Sequence, residues 1–225
     1  MGGPLVLLRH GQSRSNLEDR FTGWQDVGLT EGGREGARHA ARLLAGAGLA
    51  FDAAFSSRLR RATSTLRIVL EELGLEGVPV STSWRLNERH YGALQGLERA
   101  EAEERYGEAR VREWRRGYRP RPPAEAPKAG RPGIPPRVSR PSTESLEDVS
   151  ERVLPYWREE ISPALMRGAR VLVVAHGNSL RALVKHLDGL SEDGVENLEI
   201  PPAGPLVYDL DDRTRPVRRY RLGDD

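Results

Sequence analysis

Two histidines in this chain stand in matching surroundings. "LVLLRHGQSRSN", residues 5–16, runs from four apolar residues into Arg9, His10 and Gly11. "VLVVAHGNSLRALV", residues 171–184, repeats the plan with His176 and Gly177. An imidazole leaving a buried strand beside a guanidinium suits a phosphoryl group: histidine holds it covalently and arginine neutralises its oxygens. Zinc is the rival reading. It is disfavoured because the chain has no cysteine, no His pair spaced i, i+4, and an arginine beside His10 that would repel a cation. His39, His90 and His186 read as surface or packing residues. "LNERHYGALQG", residues 86–96, adds a third reactive group, because Glu88 on a loop is a candidate general acid or base, with a surface ion pair as the plain alternative. Arg61 opens a helical stretch in "SSRLRRATSTL", whereas Arg58 and Arg60 read as a solvated face. "WRRGY", residues 114–118, reads weakly as a nucleic-acid stacking patch.

These groups need a scaffold. Apolar runs predict strands at Leu5–Arg9, Asp52–Ser56, Pro79–Ser83, Arg170–Ala175, Leu206–Leu210 and Val217–Leu222. Between them lie helical patterns. One begins after Thr30 as N-cap and ends near Gly46 or Gly48, one covers Arg58–Leu73, and one covers Ser179–Leu187. A long one, from Leu146 to Leu165, is expected to be interrupted by Pro155 and Pro163. The alternation predicts an α/β fold, a three-layer sandwich with a mostly parallel central sheet covered by helices on both faces and an antiparallel edge strand. In such sheets ligands bind outside the carboxyl ends of the strands, so the two His-Gly turns are expected to face one crevice. The helix following His176 would offer free N–H groups to an anion there.

The 225 residues are read as a single domain, 1–225, with a Pro/Gly-rich, lid-like insertion at about 119–142, for which a disordered linker is the equally weighted alternative. Its arginines (Arg119, Arg121, Arg131, Arg137 and Arg140) are expected to draw it over an anionic ligand. Charged residues make up 30%, yet the net charge is only +2, which argues against a nucleic-acid partner. Only Lys128 and Lys185 are lysines, so the cations are nearly all the bidentate kind. No apolar run approaches a membrane span, and a cytoplasmic protein is expected.

The chain resembles the histidine phosphatase superfamily, marked by Arg9-His10-Gly11. Within it, "RHGQSRSN", "RFTGWQDVGLTEGG", "LNERHYGALQG", "WRRG" and "AHGNSLRALVK" resemble cofactor-dependent phosphoglycerate mutases, in order and at compatible spacing. The resemblance implies a glycolytic mutase that interconverts 2- and 3-phosphoglycerate, primed by 2,3-bisphosphoglycerate and needing no metal. His10 would be phosphorylated and Glu88 would exchange the proton, with Arg9, Arg61 and His176 holding the transferring group. Ser13, Asn16, Thr22, Gly23, Arg89, His90, Tyr91, Arg99, Arg115, Arg116, Gly177 and Asn178 would contact the rest of the substrate. Related bisphosphoglycerate synthases typically carry Gly at the position of Ser13, so Ser13 favours the mutase. The implied partners are small phosphoglycerates, with a homo-oligomer (dimer or tetramer) among the possible assemblies. Arg99 stands where the family usually has Lys, residues 119–142 are fewer than in typical members, and the sequence ends at Asp225 where many continue into a tail. Enclosure of the ligand is therefore expected to rest on residues 119–142. A broad phosphatase using the same His10 and Glu88, and a non-catalytic phosphate- or nucleic-acid-binding module, remain as alternatives.

Overall fold

The computed structural model describes residues 3–126 and 141–223. Six strands form one sheet: β1 (Leu5–Arg9), β2 (Ala53–Ser56), β3 (Val80–Thr82), β4 (Val171–Ala175), β5 (Pro205–Leu210) and β6 (Pro216–Arg221). Their order is β3-β2-β4-β1-β5-β6. The first four run parallel, and β5 and β6 add an antiparallel edge. Each expected strand is present within a residue or two of its expected ends.

The two central strands explain the layering. Every residue of β4 and the first four of β1 are buried, and alternate side chains enter opposite cores. Leu5, Leu7, Val171 and Val173 face one core, and Val6, Leu8, Leu172 and Val174 face the other. Four-residue apolar runs can do this only with helices on both faces. On the second face lie α2 (Glu31–Gly46) and α3 (Arg60–Glu72), α2 starting where the Thr30 hydroxyl accepts the Gly33 amide. On the first face lie α6 (Leu146–Tyr156), α7 (Ser162–Met166), α8 (Gly177–Leu187) and α9 (Glu192–Glu196). The fold is thus the expected α/β sandwich with a mostly parallel sheet.

Two features differ from expectation. The helix from Leu146 does not break at Pro155. It runs through that residue, widens into a π-helical turn at Trp157–Ile161, and continues into α7 with Pro163 in the first turn. A wide turn absorbs the hydrogen bond a proline cannot make, so the rod stays whole. Residues 99–116, where no element was expected, form α4 (Arg99–Tyr106) and α5 (Glu108–Arg116). With the short α1 (Arg14–Leu17) they flank the site. They carry too few apolar residues to show a period, burying only Ala102, Val111 and Trp114 against Phe21 and Leu94. Of the 119–142 segment, residues 127–140 lie outside the described part, Arg131, Arg137 and Arg140 with them. Arg119 and Arg121 are paired instead of free, Arg119 with Glu192 and Glu147 and Arg121 with Asp148.

Candidate active site

Strands β1 and β4 are neighbours in register, with Arg9 opposite Ala175, and the His10 amide donates to the Ala175 carbonyl at 3.0 Å. His10 and His176 therefore emerge side by side, their rings 4.9 Å apart. The turn after His10 is pressed against the start of α2. A Cβ on Gly11 would sit 2.1 Å from the Gly33 carbonyl oxygen, and one on Gly33 would sit 2.0 Å from that of Gln12. Only glycine permits so close an approach of two backbones.

The His10 ring is oriented by its own backbone. Nδ1 lies 2.7 Å from the Gly11 carbonyl oxygen, which can only accept, so Nδ1 carries the hydrogen and Nε2 keeps its lone pair. Burial, then the charges of Arg61 and Arg9, hold the His10 pKa well below the usual histidine value. A neutral imidazole whose Nε2 lone pair carries no proton is a nucleophile ready at neutral pH.

Arg61 comes from the first turn of α3 and is almost wholly buried. Its Nη1 and Nη2 donate to the carbonyls of Gln25 and Gly23 at 2.9 and 2.8 Å, leaving Nε to donate to His10 Nε2 at 3.3 Å. A phosphoryl group on Nε2 would take that donor through its oxygens. Burial lowers the Arg61 pKa to about 10, so it stays cationic at pH 7. Arg9 Nη1 is steered by the Ile200 carbonyl at 2.8 Å. His176 is fully buried, with Nε2 2.7 Å from the Ser57 hydroxyl. Burial first, and then Arg61, keep it neutral as well.

Glu88 reaches the same place from the loop after β3. Its Oε1 accepts from the Asn178 side chain at 2.8 Å, from the Asn178 amide at 3.3 Å, and from the Arg89 amide at 2.7 Å. The carboxylate thus sits on the N-terminus of α8, where the helix dipole favours it.

Arg9, His10, Arg61 and Glu88 line a cleft of about 570 Å³, whereas His176, expected to hold the transferring group, is fully buried behind the wall against Ser57. Among the sequence-derived candidates its wall contains Arg9, His10, Asn16, Thr22, Gly23, Arg61, Glu88, Tyr91, Arg99 and Arg115. A smaller recess of about 340 Å³ shares Arg9, Glu88, Tyr91 and Arg115 with it and adds Arg116, Gly177 and Asn178. Ser13, Arg89 and His90 stand behind the wall. Ser13 caps α1 through Asn16. Arg89, fully buried, donates to the Arg115 carbonyl at 2.7 Å and to the Tyr91 hydroxyl at 3.3 Å. Burial acts to raise the Tyr91 pKa, but the Arg89 charge and the hydrogen bonds from Arg89 and Asn178 leave it lowered. Sequence reasoning missed Ser57, Gln12, Asp19, Arg20 and Arg181. Asp19 falls between two quoted motifs, Arg20 only opens the second of them, and Arg181 reads as an ordinary helix residue. No group of three His, Cys, Asp or Glu among the described residues is placed to hold a metal ion. None of the described helices is long and apolar enough to cross a membrane.

Residues 5–222 match the family described as the histidine phosphatase superfamily (branch 1). The chain belongs to this superfamily. Its fold is shared by a mycobacterial glucosyl-3-phosphoglycerate phosphatase solved with VO3, at 28% identity and a TM-score of 0.73, covering 97% of each chain. Bacillus stearothermophilus YhfR is similar at 25% identity and TM-score 0.73, with 94% of this chain and 93% of that one covered. A putative alpha-ribazole-5'-P phosphatase from Escherichia coli, at 22% identity and TM-score 0.71 over 94% and 92% of the two chains, shares the fold. As a histidine phosphatase superfamily member, the protein is expected to transfer phosphoryl groups, and the neutral His10 with its flanking arginines is the arrangement for it.

Proposed function

We propose that the protein is a phosphoglycerate mutase, interconverting 2- and 3-phosphoglycerate through a phosphohistidine at His10 and primed by 2,3-bisphosphoglycerate. The observation that carries this is the number of arginines along one cleft. Arg9 and Arg61 beside His10 suffice for one phosphoryl group, yet Arg20, Arg99 and Arg115 line the same cleft, and Arg116 lines the adjoining recess. Arg20, Arg99 and Arg116 are paired with Glu98, Asp19 and Glu199 in partly exposed ion pairs, so a second anionic group of the ligand would engage Arg115 and compete with those carboxylates for the others. The donor set therefore suits a bisphosphorylated primer. When bound, that primer supplies the phosphoryl group that charges His10.

The protein's own part is positioning and proton transfer. His10 Nε2 forms the N–P bond as the P–O bond of the donor breaks, and Glu88 gives a proton to the departing oxygen. In the reverse half-reaction Glu88 takes the proton of the attacking hydroxyl while the N–P bond breaks. Arg9 and Arg61 balance the charge on the equatorial oxygens.

The second reading is a phosphatase in which water is the acceptor. It is favoured by the names of similar structures, among them the glucosyl-3-phosphoglycerate phosphatase at 28% identity. One assay separates the two: enolase-coupled turnover of 3-phosphoglycerate beside phosphate release, each with and without 2,3-bisphosphoglycerate. The mutase reading expects primer-dependent isomerisation well above phosphate release, and loss of both in His10→Ala. Phosphate release that dominates with or without primer would overturn it in favour of the phosphatase.

A further inference from the structure

The chemistry above leaves one buried ionic cluster unused. Arg152 on α6 and Glu144 just before that helix are both buried and lie outside the cleft wall. Arg152 Nε donates to Glu144 Oε1 at 2.7 Å and Nη2 donates to Glu144 Oε2 at 2.9 Å. Nη1 donates to the carbonyls of Arg85 at 2.6 Å and Asn87 at 3.0 Å, and Nη2 also donates to that of Glu88 at 3.0 Å. A guanidinium has five N–H groups, and these five bonds use them all. Glu144 completes the clamp, since its Oε2 accepts the His90 amide and its own amide donates to the His90 carbonyl, both at 2.8 Å.

The object gripped is the segment that carries Glu88. The 3₁₀ turn Trp84–Leu86 ends just before it, and residues 87–91 belong to no strand. Their course is therefore set by side chains, chiefly Arg152, with Trp24 Nε1 donating to the Glu88 carbonyl at 2.6 Å. A buried ion pair is a poor way to gain stability, because desolvation consumes most of the attraction. It does impose geometry, because five directional bonds accept one backbone path.

We propose that Arg152, held by Glu144, is a positioning residue for the proton transfer of Glu88. It fixes the backbone on both sides of Glu88, so that the carboxylate meets Asn178 at the start of α8 and faces the cleft. This rests on His10 as nucleophile and Glu88 as acid and base, and is indifferent to whether water or a second substrate accepts the phosphoryl group. Loosening the clamp should impair protonation of the leaving oxygen and leave attack by His10 largely intact. The arginines that bind the phosphoryl group, Arg9 and Arg61, stand on β1 and α3, and their own hydrogen bonds go to the carbonyls of Ile200, Gly23 and Gln25 and to His10, not to residues 87–91.

The test is His10 phosphorylation, followed by rapid quench with two donors. From 2,3-bisphosphoglycerate the departing alkoxide needs the Glu88 proton; from 2,4-dinitrophenyl phosphate the phenolate leaves without one. Arg152→Lys, Arg152→Met and Glu144→Gln should slow the first reaction about 10- to 100-fold and the second by less than about threefold, part of the general-acid contribution being lost. Equal slowing with both donors, or none, would overturn the proposal. Glu88→Gln, run in parallel, should show the same split between donors. If it does not, the acid–base assignment falls and the clamp with it. If it does while the Arg152 and Glu144 variants slow both donors alike, only the clamp is wrong. Should Arg152→Met fail to fold, Arg152→Lys and Glu144→Gln decide.

Discussion

The buried histidine pair makes the stability of this protein depend on pH in a way that can be worked out in advance. His10 and His176 are held neutral in the folded chain, with pKa values well below the usual range, first by burial and then by Arg61 and other nearby positive groups. In the unfolded chain both return to about 6.5. Below that pH the unfolded state binds two protons that the folded state refuses, so lowering the pH favours unfolding. At pH 5.5, one unit below the unfolded value, each histidine that stays neutral in the folded chain costs about 1 kcal/mol relative to alkaline pH. Together they should remove roughly 2–3 kcal/mol between pH 7.5 and 5.5. Asp52, whose pKa Arg170 holds at about 2, stays ionised throughout and adds nothing in this window. His186, lowered by partial burial and by Arg158, contributes in the same direction to every variant and cancels in comparison. The assay is urea unfolding at the two pH values for the wild type and the double variant His10→Gln, His176→Gln. The double variant should lose roughly 2–3 kcal/mol less than the wild type on acidification. Equal losses would mean that the folded protein protonates these imidazoles readily, and the neutral-nucleophile reading of His10 would go with it.

Two further expectations follow from packing. Gly33→Ala would place a methyl 2.0 Å from the Gln12 carbonyl and push the His10 turn out of place. A displacement of about 1 Å there should slow phosphoenzyme formation on the order of 100-fold, whereas Gly46→Ala, with nothing within 4 Å, should leave it unchanged. Leu7 is fully buried between Val173 and Leu206. Leu7→Ala should cost roughly 2–5 kcal/mol in urea unfolding, and a loss below 1 kcal/mol would contradict the close packing of that face.

Much of this was legible in the residues themselves, for reasons of range. Strands such as Leu5–Arg9 and Val171–Ala175 announce themselves because a strand buried on both faces must be apolar at every position. The Thr30 cap is equally local: one hydroxyl meets one amide three residues on. The paired His-Gly turns could be placed at one sheet end because parallel strands deliver their carboxyl termini together. What the sequence determined, then, was whatever depends on neighbours within a few residues and on the direction of parallel strands. Tertiary structure alone decided the rest. The hydrogen on His10 is assigned by the Gly11 carbonyl once the turn is folded, and the neutrality of His10 by burial beside Arg61, 51 residues away. Ser13, Arg89 and His90 belong to the quoted motifs, yet they stand behind the cleft wall, because a motif does not say which way its side chains turn. Helices α4 and α5 left no period, since three buried side chains suffice to dock them. Arg152 reads in sequence as one more charged helix residue. Its four partner residues lie as far as 67 residues away along the chain, and only the closed fold brings them around one guanidinium.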